Sequence, residues 1–174
     1  MKRISYTVAA GVLAVASALS FAQAGAPNDA QIAGIVVAAN TVDIDAGEVA
    51  KSSAQKKEVK DFAQRMITDH TGVNKQATAL VKKLNVTPEE SDTSKALKDG
   101  GATNVASLKK LKGDAFDRAY VDHEVTYHQT VLDAIDKTLL PNAKNAELKD
   151  LIQKVRPAID AHLQHAKQIQ ASLR

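Results

Sequence analysis

Cysteine is absent from the 174-residue chain, tryptophan is absent too, and aromatic residues make up only 3% of it. Without a thiol, no disulfide, thiolate metal site or lipid anchor on an N-terminal cysteine can form, whatever the redox state of the compartment. So few aromatics leave little material for a β-sandwich or barrel. The abundance of Ala, Lys, Leu, Val and Asp suits helices packed through small and aliphatic side chains instead. An excess of charge of one sign is missing as well. The formal net charge of +3 counts Lys2 and Arg3, and the rest of the chain is close to neutral. No Lys/Arg cluster with interleaved aromatics occurs, which argues against nucleic acid as a partner. The pairs Lys56-Lys57 and Lys109-Lys110 read as ordinary exposed faces.

One apolar run stands out, from Thr7 to Phe21. It follows the basic pair Lys2-Arg3 and precedes Ala22-Gln23-Ala24, a small-x-small cleavage site, so residues 1–24 read as a cleaved signal peptide. The run is too short to span a bilayer comfortably, and the polar Pro27-Asn28-Asp29 follows almost at once. The expectation is an exported protein, periplasmic or secreted, whose mature part, residues 25–174, is one domain without an integral membrane span.

Helical periodicity fills the mature chain. Asn28 with Gln31 forms a capping-box signature, and Ile32, Ile35, Val36, Ala39, Val42, Ala46 and Val49 follow at helical spacing to about Ala50. Ser52 and Ser53 offer a cap for a second helix, from about Ala54 to Leu84, whose stripe is Val59, Phe62, Met66, Val73, Ala77, Leu80 and Leu84. Gly72 interrupts it, either to let a neighbouring helix approach or at no consequence. Between Asn85 and Gly113 the pattern breaks into two short helices, one opened by Thr87-Pro88-Glu89-Glu90 and ended by Asp99-Gly100-Gly101, the other begun at Asn104. Asp114 reads as the cap of a third long helix with Val121, Val125, Leu132, Ile135 and Leu139 on one face. A fourth, from about Asn145 to Leu173, carries Pro157, which should kink it. Four long helices, two short turns and one long connection between the second and third predict an all-α four-helix bundle.

Polar residues replace apolar ones at one place in three of the four stripes. His70, His128 and His162 occupy stripe positions on three helices, and Asp43 borders the stripe on the remaining one. Asp69, His123 and Glu124 are near enough in sequence to contribute. Inward imidazoles and carboxylates on separate helices suit a divalent transition metal such as Zn, Cu or Fe. The alternatives are a buried hydrogen-bonded network without metal, for which Tyr120, Tyr127 and Asp69 are at hand, and a solvent-filled groove. His165 reads as solvated.

Register decides whether these groups meet. With both short turns at one end, heights counted from the other end, at about 1.5 Å per residue, put Asp43, His70 and His128 about 21 Å up and His162 about 16 Å. Counted from the turns, Asp43 pairs with His128 and His70 with His162, on levels roughly 10 Å apart, too far for one mononuclear site. Short turns fix register more tightly than a long crossover, which favours two levels, with His123 or Glu124 as the third group near His70 and His162.

The segments Asp61-Phe62-Ala63-Gln64-Arg65-Met66-Ile67-Thr68-Asp69-His70-Thr71, Phe116-Asp117-Arg118-Ala119-Tyr120-Val121-Asp122-His123, and Pro157 through His162 to Ala166 resemble the bacterial family catalogued as domain of unknown function 4142. The resemblance spans about Asp29 to Ser172 and implies an exported, ferritin-like helical bundle with no established activity. In that family the positions of His70, His128 and His162 usually carry His, and the first helix often has Glu where Asp43 stands. The Glu-x-x-His pairs of ferritin-like di-iron bundles are missing: the residues three before the five histidines are Ile67, Tyr120, Val125, Ile159 and His162. The functional reading is an exported bundle whose interior layer binds a divalent transition metal, with no catalytic residues and no catalysis assumed. Its rival is an interaction or stress-protective protein whose buried histidines set packing or sense pH.

Overall fold

The computed structural model describes residues 25–174. The expected signal peptide, residues 1–24, lies outside the described residues. Every regular element among the described residues is helical, and none of these helices is long and apolar enough to cross a membrane. Helix α1 (Asp29–Ser53) opens with the expected capping box, Asn28 Oδ1 accepting from the Gln31 N–H and Gln31 Oε1 from the Asn28 N–H. Helix α2 (Lys57–Lys83) follows after a three-residue turn. Helix α4 (Gly113–Ala134) continues through a π-helical turn at Ile135–Leu139 into the short α5 (Leu140–Asn142), and α6 (Ala146–Ser172) completes the chain behind the Asn145 cap.

Three expectations for the middle of the chain are corrected. The region between α2 and α4 holds one continuous helix, α3 (Asp92–Leu108), in place of two short ones. Its cap is Ser91 in a capping box with Ser94, and the Thr87 signal starts no helix. The helix passes through Gly100-Gly101 because Gly101 lies directly against Val42 of α1, where a side chain would collide. Gly72, by contrast, has nothing within 4 Å and admits no neighbour.

Carboxylates from other helices hold two helix starts, that of α2 in place of the expected local cap and that of α6 in addition to its own Asn145 cap. Neither Ser52 nor Ser53 caps α2; Asp117 of α4 reaches across, fully buried, and accepts from the Gln55 and Lys56 N–H groups at 2.9 and 2.8 Å. Asp114 does not cap α4, which begins at Gly113 with a φ of 59°. At the other end, Asp29 of α1 accepts from Lys144 and Asn145 N–H groups, both at 2.9 Å. Pro157 sits exposed in α6, and the helix does not end there, since the carbonyl it frees can turn to solvent.

These crossed caps fix direction. The start of α4 lies beside the start of α2, and the start of α6 beside the start of α1. The two short turns are therefore at opposite ends, not the same end, because α3, with the segments that lead to it from Glu89 beside Ala30 and on from it to Gly113 beside Gln55, carries the chain the length of α1 between them. Its 17 residues span about 25 Å. Helix α1 packs along α2 and α3, α4 along α6, and α2–α6 and α1–α4 contacts close the body. Counted from the end where α1 begins, Asp43, His70, His128 and His162 all stand about 20–24 Å along their helices. One level replaces the two that the sequence favoured. Apolar clusters lie on either side of it, one around Ile32, Leu132 and Ile152, the other around Phe62, Phe116 and Ile169.

Candidate metal centre

Each long helix brings one residue to this level: Asp43 from α1, His70 from α2, His128 from α4 and His162 from α6. All four are at most 3% exposed. The imidazole centroids are 5.3 to 5.7 Å apart, and one nitrogen from each ring lies within 4.8 Å of the other two. Asp43 Oδ2 lies 3.3 Å from His70 Nε2 and 3.9 Å from His128 Nε2.

Hydrogen bonds at the back of each ring set its tautomer. His70 Nδ1 meets Asn40 Oδ1 at 2.7 Å, and the Asn40 amide is oriented by donating its own N–H to the Val36 carbonyl. His128 Nδ1 meets the Glu124 carbonyl oxygen at 3.0 Å. His162 Nε2 meets Asp69 Oδ2 at 2.8 Å. All three oxygens can only accept, so each of these ring nitrogens carries the proton. The opposite nitrogens, His70 Nε2, His128 Nε2 and His162 Nδ1, are buried without a hydrogen-bond partner. Three lone pairs thus gather in the interior, next to a carboxyl whose Oδ1 is also unpartnered.

The secondary candidates fall into three places. Asp69 is half-exposed and orients His162 from outside, itself held by Arg65. Glu124, one turn before His128, is fully buried, and its carboxyl receives no hydrogen bond from a donor group and meets only the Asp43 carboxyl. It forms a second group with Asp43 and His128, ligand atoms again within 4.8 Å. His123 borders this group, Nδ1 3.8 Å from Glu124 Oε1, stacked on Tyr127. Tyr127 donates to the Ala39 carbonyl, whereas the Tyr120 hydroxyl is buried and unpartnered. His165 is half-buried against Phe62 and takes no part. Asn40 escaped the sequence reading, although a polar residue three before Asp43 in an apolar stripe was its visible signal.

A family model described as "Domain of unknown function (DUF4142)" matches residues 14–169. The chain belongs to this family. No curated protein and no solved structure matches it significantly. The family description carries no activity, so the chemistry of this DUF4142 chain has to be argued from its side chains.

Burial dominates the electrostatics of the layer. It holds His70 well below the ordinary imidazole range, helped by His128 and His162. It lowers His162 to about 4 despite the neighbouring Asp69, and lowers His123 as well. Burial raises Asp43 well above the usual carboxylate range, with Glu124 adding to the effect, and pushes Glu124 up to about 7. Tyr120 and Tyr127 are raised by burial, then by the charges of Glu124 and Asp43. An apolar cavity of about 50 Å³, walled by residues such as Val131, Ile135 and Ile159, adjoins Asn40, Asp43 and His70 and keeps that side of the layer in a low dielectric.

These shifts have opposite consequences for the metal-free protein. Glu124 is protonated in the fold up to about pH 7 but titrates near 4.5 when unfolded. Its contribution to stability is complete below 4.5 and is lost as pH rises through 7. His162 acts the other way, with its contribution present above its unfolded value of 6.5 and lost as pH falls toward 4. Metal-free Glu124→Gln should therefore gain on the wild type by about 2 kcal/mol between pH 5 and pH 8. Urea denaturation of both proteins at the two pH values measures this. Parallel stabilities would show that Glu124 does not take up a proton on folding.

Proposed function

We propose that this protein is an exported, ferritin-like four-helix bundle that binds a divalent transition metal ion through His70, His128, His162 and Asp43. The carrying observation is the set of three inward ring nitrogens without a partner, each ring held in place by an acceptor behind it. A purely structural layer would place a donor against those nitrogens, since each unmet buried group costs about 1–3 kcal/mol. A cation satisfies all of them at once. Imidazole donors without a thiolate suit Zn, Cu or Fe, and acceptors behind each ring make the nitrogen facing the metal a better ligand.

The pairing of α1 with α2 and of α4 with α6, with a long crossover through α3, supports the ferritin-like reading of the bundle. The reading assigns no catalysis. Export rests on Lys2-Arg3, the run Thr7 to Phe21 and the Ala22-Gln23-Ala24 site. The secreted or periplasmic form should begin at Gly25, which N-terminal sequencing of the exported protein checks. A mature form that retains Lys2 and Arg3 would contradict export by cleavage.

Metal analysis of protein made without an affinity tag tests the binding itself. Near-stoichiometric transition metal per chain is expected, and protein that stays metal-free after incubation with Zn²⁺, Cu²⁺ or Fe²⁺ would refute the proposal. The residues behind the rings offer a finer check. Asn40→Ala and Asp69→Asn should each weaken metal binding about 10–100-fold without removing a ligand. Competition titration against a chromophoric chelator reads this directly, and unchanged affinity in both variants would mean that the ring orientations are irrelevant to binding.

A further inference from the structure

We propose that Asp43 is a bridging carboxylate and that a second divalent cation sits on its far side, between Asp43 and Glu124. The inference rests on the three-histidine reading above and extends it from one ion to two. Asp43 Oδ2 faces the imidazoles of His70 and His128, and its Oδ1 is left over, buried and unpartnered. Glu124 is fully buried and its carboxyl faces the Asp43 carboxyl, with no hydrogen bond from a donor group to any of the oxygens between them, an opposition of two acids that a cation would relieve. Two more unmet groups belong to the same region, His123 Nδ1, 3.8 Å from Glu124 Oε1, and the buried Tyr120 hydroxyl, one turn earlier on α4 and subject to the charges of Glu124 and Asp43.

The chemistry of the two halves differs. The first ion takes neutral nitrogens. His128 spends its Nδ1 proton on the Glu124 carbonyl and has only Nε2 to give, so the second ion draws on carboxylate oxygens. His123 is the nitrogen beside Glu124. Such an oxygen-rich set suits a harder divalent ion such as Mn²⁺ or Fe²⁺, and also accepts Zn²⁺. Two ions sharing a carboxylate stand about 3.5–4 Å apart.

Stoichiometry separates this proposal from the one beneath it. The mature full-length protein and Glu124→Gln, nearly isosteric with the protonated acid, are saturated with Zn²⁺, freed of excess metal by gel filtration and assayed by mass spectrometry. Two ions per chain in the wild type and one in Glu124→Gln, with the remaining ion held at wild-type affinity, are expected. One ion in both proteins would overturn the second site and leave the three-histidine site standing. No ion in the wild type would overturn both, and two ions in the variant would remove Glu124 from the site. Thermal melts of the two metal-free proteins establish that the variant folds. As an independent reading, Mn²⁺-loaded wild type should show spin coupling between two ions in its electron paramagnetic resonance spectrum. Saturated protein giving only the spectrum of isolated Mn²⁺ would contradict the shared carboxylate.

Discussion

His128→Ala is expected to strip the protein of its metal, weakening binding by well over the ~10–100-fold that loss of an outer partner produces. His128 is at the centre of the layer. Its ring is 5.7 Å from His70 and 5.5 Å from His162, and it belongs to both groups of candidate ligands. The affinity lost should exceed 1,000-fold, about 4 kcal/mol. His70→Ala should behave alike, because its Nε2 lies nearer to Asp43 Oδ2 than His128 Nε2 does, at 3.3 against 3.9 Å. Metal-free stability should fall as well, since each substitution removes a buried ring together with its Nδ1 hydrogen bond. Equilibrium dialysis against Zn²⁺, with denaturation of the same samples, separates the two effects. Retained tight binding in both variants would exclude the imidazoles as ligands.

Asp117→Ala is expected to be the most damaging substitution away from the layer, at about 3 kcal/mol. One carboxylate accepts from both the Gln55 and Lys56 N–H groups, and its side chain is wholly buried at the joint between the α1–α2 turn and the start of α4. Hydrogen bonds to a carboxylate are stronger than neutral ones, and helix α2 has no side chain of its own to take over its cap. The substitution also loosens the contact that sets α4 in register with α2, on which the alignment of His128 with His70 depends. Urea denaturation should show the lower midpoint, and metal affinity should fall moderately with it. Wild-type stability in the variant would mean that the turn finds other partners.

Much of this arrangement was legible in the residues. The spacing of Val59, Phe62, Met66 and Ala77 announced α2, and His70, His128 and His162 announced the layer because each interrupts an otherwise apolar stripe. Their meeting could not be read, because level depends on which ends of the helices adjoin. That is decided by α3, whose Gly100-Gly101 looked like a break and proved to be a close crossing over Val42. Capping by Asp117 and Asp29 was invisible for a related reason, since each bonds to backbone more than 60 positions away, and sequence-local rules see only the nearest turn. Asn40 and Glu124 stand in a third position. Their polarity at buried stripe sites was visible, but their roles, one behind a ring and the other inside the cluster, follow only from three-dimensional placement.

X-ray absorption on protein loaded with one equivalent of Zn²⁺ tests the central claim most directly. Three imidazole nitrogens at about 2.0–2.1 Å with an oxygen ligand are expected. A zinc environment made of oxygens alone, or of a single imidazole, would contradict it.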